Sequence, residues 1–257
     1  MSTLSCLAAA LVVLLAAYAV GTRTGRHRVV DVAWGLAFCA VALTGCALAD
    51  GSPARRALVT TLVVLWGLRL SGHIALRSRG HGEDPRYERL LARRGGRALQ
   101  WIYLPQAGLV WFVSLPVQLA QYGRAPLGPL ALAGALLWAV GLVFEAVGDW
   151  QLTRFKRDPG NRGRLLQSGL WSWTRHPNYF GDACVWWGLY LLAVEAPYGW
   201  ATLASPLLMT YLLVWGSGKA LLERQLIATK PGYAAYAERT SGFLPRPPRR
   251  AAGRRVS

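Results

Sequence analysis

The segment LSCLAAALVVLLAAYAV, Leu4 to Val20, decides the fold. It carries no charge over a length close to the roughly 20 residues that an α-helix needs to cross a bilayer. No basic residue precedes it, while Arg23, Arg26 and Arg28 follow it, which reverses the charge order of a cleaved secretory signal. It reads as a first transmembrane helix with its N-terminus outside. Further apolar runs recur at about Val29–Ala49, Ala57–Leu76, Trp101–Tyr122, Leu127–Val147, Tyr179–Val194 and Trp200–Gly218. The expectation is an all-α polytopic bundle of seven transmembrane helices forming one membrane domain over residues 1–245. Residues 246–257, rich in Arg, Pro and Gly, read as a disordered basic tail lying near anionic lipid.

Composition points the same way, with 53% hydrophobic and 16% charged residues among 257 and a mean hydropathy of +0.26. A formal charge of +17 would suggest nucleic acid in a soluble chain, but here the basic residues fall in short loops between apolar runs. With the N-terminus outside, 25 of the 29 Lys and Arg lie on the cytoplasmic side, and only Arg55, Arg56 and Arg124 lie outside. That bias sets the topology and argues against nucleic-acid binding. Cys6, Cys39, Cys46 and Cys184 stand in apolar runs without metal-site spacing, so neither a disulfide framework nor a zinc site is expected. Nothing in the sequence specifies an oligomeric state.

Ionisable residues at membrane depth are costly and therefore mark functional sites or buried pairs. Asp31 opens the second span, and Arg69 and His73 stand four apart on the third. Asp31 can anchor at the interface or act chemically, and His73 can be a satisfied core histidine or a site residue. Glu145 and Asp149, also four apart, read as like charges at the C-terminal end of the fifth helix, where mutual repulsion and the helix dipole both oppose them. Compensation must come from Arg154, Lys156 or Arg157, a raised pKa, or a ligand.

The densest polar stretch runs DPGNRGRLLQSGLWSWTRHPNYFGD, Asp158 to Asp182. Its turn signals and closely spaced arginines suit phosphate oxygens, although cytoplasmic loops are Arg-rich for topological reasons as well. Beyond Arg175, His176 and Pro177, a sixth helix would carry Asn178, Asp182 and Trp186 on one stripe. A carboxamide and a carboxylate together at membrane depth favour ligand contact over packing. Tyr233 and Tyr236 in KPGYAAYAERT read as an interfacial belt or as a lid over a cofactor. No P-loop, GxGxxG, HExxH or nucleophile-elbow pattern occurs.

RHPNYFGD (Arg175–Asp182), with NRGRLLQSGLW before it, PGYAAYAERTSGFLP after it, DVAWG at Asp31–Gly35 and GEDPRY at Gly82–Tyr87, resembles the bacterial steroid 5-alpha-reductase-like integral membrane family, a family of unknown function related to the 3-oxo-5-alpha-steroid 4-dehydrogenases. The resemblance covers most of the chain. It implies a multi-pass cell-membrane enzyme that binds NADPH from the cytoplasmic side and reduces the carbon-carbon double bond of an enone lipid. It further implies that Asn178 and Asp182 hold the nicotinamide end, with Trp186 nearby, and that Asp149 and Lys156 bind the nucleotide. Arg162, Arg164 and Arg175 become possible partners of a 2′-phosphate, with His176, Tyr179, Tyr233 and Tyr236 around the cofactor.

The chain departs from that family pattern by carrying Asp for Glu at 182, Lys for Arg at 156, and Lys219 and Glu223 where Arg and His are usual. Substrate-polarising candidates in the N-terminal half are Asp31, His73, Glu83 and Tyr87, since an enone oxygen needs a proton donor as charge develops there. The expected partners are a lipid or sterol-like substrate and the membrane lipids. Two other readings stand beside this one. One is a membrane methyltransferase of the isoprenylcysteine or phospholipid type using S-adenosylmethionine, which shares an RHPxYxG segment. The other is a non-catalytic lipid-binding protein that kept the fold.

Overall fold

The computed structural model describes residues 2–216 and 219–248, so all but the first three residues of the expected tail, 246–257, lie outside the described residues. Its helices in chain order are α1 (Ser2–Thr24), α2 (Val29–Leu48), α3 (Pro53–Ser78), α4 (Pro85–Arg93), α5 (Leu104–Val113), α6 (Leu115–Ala120), α7 (Pro129–Arg157), α8 (Leu170–Trp173), α9 (Pro177–Val194), α10 (Ala204–Val214), α11 (Lys219–Thr229) and α12 (Tyr233–Arg239). No β-strand occurs among the described residues, where an isolated parallel bridge joins Thr174 and Ser241. Four helices, Thr3–Thr24, Val29–Leu48, Pro53–Ser78 and Pro129–Arg157, are long and apolar enough to cross a membrane, and Gly199–Val214 is a shorter apolar stretch.

The described residues pack as two units. Those within Met1–Ala135 and Leu189–Ser205 form one, and those within Leu136–Gly188 and Pro206–Ser257 the other. Local chemistry sets the helix boundaries. α3 begins where the Ser52 hydroxyl accepts from the Arg55 N–H at 3.3 Å with Pro53 in the first turn. α4 begins where the Asp84 carboxylate accepts from the Arg86 N–H at 2.8 Å ahead of Pro85. In the first unit α2 and α3 cross backbone to backbone, because a Cβ on Gly35 would lie 2.4 Å from the Gly67 carbonyl oxygen.

Two expectations change. The run Trp101–Tyr122 is not one helix but a π-helical turn over Leu99–Tyr103 followed by α5 and α6. Pro116 cannot donate to the helix ladder, and its ring clashes with the preceding turn. The break is filled by polar side chains: Ser114 Oγ and Gln118 Nε2 each donate to the Trp111 carbonyl at 2.9 Å. The fifth apolar run, expected to close near Val147, continues as α7 to Arg157. Glu145 and Asp149 are therefore interior to that helix. Its true C-terminus carries Arg154, Lys156 and Arg157, the charge its dipole favours.

Candidate active site

The cofactor candidates of the second unit gather where α7 meets α9. A Cβ on Gly141 would lie 2.4 Å from the Gly181 carbonyl oxygen, and one on Gly181 would lie 2.5 Å from that of Gly141. Only glycine on both sides permits this approach, and two turns further along α7 Gly148 packs against Pro177. The close crossing brings the Asn178 amide into hydrogen-bonding contact with Asp149 Oδ1. Asp149 and Glu145 are both buried, the latter 2% exposed, and Glu145 packs against Gly181. Asp182 is half-buried one turn along α9 from Asn178, while Trp186, one turn further, is fully buried.

A second cluster locks the segment before α9 to the C-terminal region. Arg175 donates from Nε to Glu223 Oε1 at 2.9 Å and from Nη2 to Oε2 at 3.1 Å, while its Nη1 donates to the Ala237 and Thr240 carbonyls, both at 2.6 Å. His176 Nε2 meets Glu223 Oε1 at 2.9 Å, and its ring stacks on Tyr179 with 5.1 Å between centroids. The Thr174 hydroxyl donates to the Phe243 carbonyl at 2.9 Å, and the Tyr236 hydroxyl donates to the Trp171 carbonyl. Burial works to raise the Glu223 carboxyl, but hydrogen bonds from His176 and Arg175 outweigh it and bring it down to about 2. Burial holds the His176 imidazole below its usual value despite Glu223, and pushes the Tyr233 phenol up to about 12.

Arg175 thus spends its guanidinium within the protein. Lys156, Arg162 and Arg164 are exposed, the last two around the Asp158–Asn161 turn, where Gly160 N–H donates to Asp158 Oδ1 at 2.9 Å. In the sequence Glu223 stands out as a departure from the reductase pattern and, as a single glutamate followed by Arg224, from the paired glutamates of the methyltransferases. A lone acid in a strongly cationic stretch was the available signal for its role as hub.

The N-terminal candidates divide. In the first unit the Tyr87 hydroxyl donates to Asp31 Oδ1 at 2.5 Å, and Arg86 Nη2 donates to Asp31 Oδ2 at 3.0 Å. Burial, reinforced by the neighbouring Asp31 carboxylate, pushes the Tyr87 phenol well above its usual value, so it stays protonated at neutral pH. Glu83 serves backbone donors instead: its carboxylate accepts from the N–H groups of His27, Arg28 and Asp84, which anchors the start of α2. His73 is half-buried on α3, two residues past Ser71, whose hydroxyl donates to the Val32 carbonyl at 2.8 Å.

An all-helical membrane protein with an Asn–Asp contact at a glycine crossing and a partly buried Arg–Glu–His cluster defines the class, and comparison with known proteins places it further. Residues 17–240 match the family described as "Protein of unknown function (DUF1295)", and the chain belongs to that family, which is steroid 5-alpha-reductase-like. It is 36% identical over 74 residues to 3-oxo-5-alpha-steroid 4-dehydrogenase 1 of Bos taurus, covering 28% of each chain. It is 36% identical over 83 residues to a Delta(14)-sterol reductase of Mus musculus, covering 27% of this chain and 20% of the relative. A similar match, 36% over 77 residues, links it to a probable O-methyltransferase of Ustilaginoidea virens, covering 30% of this chain and 27% of that one. The matched stretches span less than a third of these relatives' own length. No solved structure matches the chain.

Proposed function

We propose that this protein is a membrane-embedded reductase that transfers hydride from NADPH to the activated carbon-carbon double bond of a lipid or sterol-like enone. The observation that carries the reading is the contact of Asn178 with Asp149 across the Gly141–Gly181 crossing, which joins two separate stretches of the family pattern. The donor set suits a nicotinamide dinucleotide. Asn178 and Asp182 offer the carboxamide and carboxylate that would hold its amide, while Lys156, Arg162 and Arg164 offer exposed cations for its phosphates. When bound, NADPH supplies the hydride. Arg175, His176 and Glu223 keep the start of α9 and the C-terminal segment in place, with Tyr233 and Tyr236 packed beside them.

The acid that the reaction requires is assigned to the Tyr87–Asp31 pair. Its phenol holds its one proton in the hydrogen bond to Asp31 and would shift it from there to an enone oxygen as negative charge develops on that oxygen. The proposal includes seven membrane crossings, an external N-terminus and a cytoplasmic cofactor site in the cell membrane. The placement of 25 of 29 basic residues in alternate loops supports that topology. The lipid substrate class is supported by the sterol-related names of two relatives.

The O-methyltransferase relative favours a second reading, transfer of a methyl group from S-adenosylmethionine. Calorimetric titration of the detergent-purified protein with each cofactor separates them. NADPH is expected to bind, with affinity reduced about tenfold or more in Asn178→Ala and Asp182→Ala, a loss of about 1.4 kcal/mol each. S-adenosylmethionine binding without NADPH binding would overturn the reductase reading, and binding of neither would favour a non-catalytic lipid-binding protein. Tyr87→Phe should leave NADPH affinity unchanged while lowering enone turnover by about 10²-fold or more.

A further inference from the structure

In the first unit α2 separates two polar regions by its whole length. Asp31 stands in its first turn and Asp50 just beyond its C-terminus. A 20-residue helix rises about 30 Å, the thickness of a hydrocarbon core. Around Asp50, far from the Tyr87–Asp31 pair, lies an open-mouthed cavity of about 820 Å³. Leu119, Ala196 and Pro197 give it an apolar wall, Tyr122 and Tyr198 line it with rings, and Asp50, Arg124 and Glu195 supply its charges.

Three features distinguish it from an ordinary surface dent. Glu195 is rigidly built in: fully buried Arg55 donates to its Oε2 at 2.7 Å, and the Gly128 and Ala131 N–H groups donate to it at 3.1 and 3.0 Å. Arg55 is itself held by the Leu192 carbonyl at 2.9 Å and the Pro126 carbonyl at 3.2 Å. Tyr198 sits at φ 57°, ψ 7°, the one non-glycine residue with positive φ among those described, and is 76% exposed. A left-handed aromatic costs roughly 1–2 kcal/mol, and its neighbours here hold it at the cavity. Finally, Asp50 and Arg124 pair with each other while remaining 61% and 77% exposed. An exposed pair of this kind contributes little stability, so either charge can exchange its partner for a ligand group at small cost.

We propose that this cavity binds the head group of a zwitterionic phospholipid of the phosphoethanolamine type, with the phosphate on Arg124 and the ammonium on Asp50. An anionic group alone would meet two carboxylates, and a cation alone would meet Arg124. A zwitterion satisfies both signs, and the Tyr122 and Tyr198 rings add cation–π attraction for the ammonium. A primary ammonium brings donors that the Asp50 carboxylate accepts, which a quaternary one lacks. The depth selects a lipid over a soluble metabolite. The cavity opens at the end of a bilayer-length helix and has an apolar wall for the glycerol and upper chains, and two residues beyond Tyr198 stands Trp200, 67% exposed, a residue type that favours the membrane interface. The inference does not depend on the reductase reading.

The test is calorimetric titration of the full-length protein in detergent with dihexanoyl phosphatidylethanolamine, dihexanoyl phosphatidylglycerol and free phosphoethanolamine. The ethanolamine lipid should bind at least tenfold more tightly than either of the others. Asp50→Asn combined with Arg124→Gln, and separately Ala125→Trp at the mouth, should each weaken it at least tenfold. All three positions are exposed, so an unchanged thermal midpoint checks that the variants fold. Equal affinity for the two lipids, equal affinity for free phosphoethanolamine, or unchanged binding in both folded variants would each overturn the assignment.

Discussion

Glu223 shows how one residue's environment sets its role. It is the common acceptor of Arg175 and His176, and the low value of its carboxyl follows from that, while burial holds the His176 imidazole down. The consequences for stability share a sign. His176 lies below its ordinary 6.5 when folded, so the unfolded chain binds more protons below that pH, and the stability present above 6.5 is lost as pH falls. Glu223 falls from its ordinary 4.5 to about 2, so its contribution is complete above 4.5 and is lost between 4.5 and about 2. The thermal midpoint in detergent should therefore decline as pH is lowered from 7 through 5. His176→Gln, which keeps a donor for Glu223 but cannot take up a proton, should flatten that decline. An identical pH profile in the variant would remove His176 from the account.

Elements meet here through paired glycines. Gly35 with Gly67 brings α2 onto α3, and Gly141 with Gly181 brings α7 onto α9, in each case with a carbonyl where a Cβ would be. Small residues at helix crossings are how membrane helices approach closely without a hydrophobic driving force between them. Gly141→Ala should destabilise by about 1–3 kcal/mol, because both its closest neighbours, the Gly181 oxygen and the Val185 nitrogen at 2.8 Å, are backbone atoms. Gly72→Ala in α3, where a Cβ meets nothing within 4 Å, should be neutral or stabilising by up to about 1 kcal/mol. Unfolding of the two variants by denaturant in mixed micelles measures the contrast. If both behaved alike, the close crossing would not be the reason for Gly141. Because Asn178 follows Pro177 at the start of α9, Gly141→Ala should also weaken NADPH binding.

For the whole molecule, the arrangement of basic residues makes a topological prediction that α3 can test. Its 26 residues rise about 39 Å, more than a hydrocarbon core, so Ser52 and Ser78 should lie on opposite sides of the membrane. With the native cysteines replaced, Ser52→Cys should react with a membrane-impermeant maleimide in intact cells, and Ser78→Cys only after permeabilisation. The reverse pattern would invert the proposed orientation. Apolar length and charge asymmetry determined the helical membrane class directly from sequence, because both are local properties that the bilayer reads one segment at a time. Spacing also placed Asn178, Asp182 and Trp186 on successive turns of one helix, since a helix's period is fixed. Tertiary structure alone decided what pairs with what. That Glu83 caps α2 while Tyr87 turns to Asp31, and that Glu223 gathers Arg175 and His176, depends on contacts between segments distant in the chain. Those contacts are selected by packing and by the need to satisfy buried charge, and no local pattern of residues encodes them.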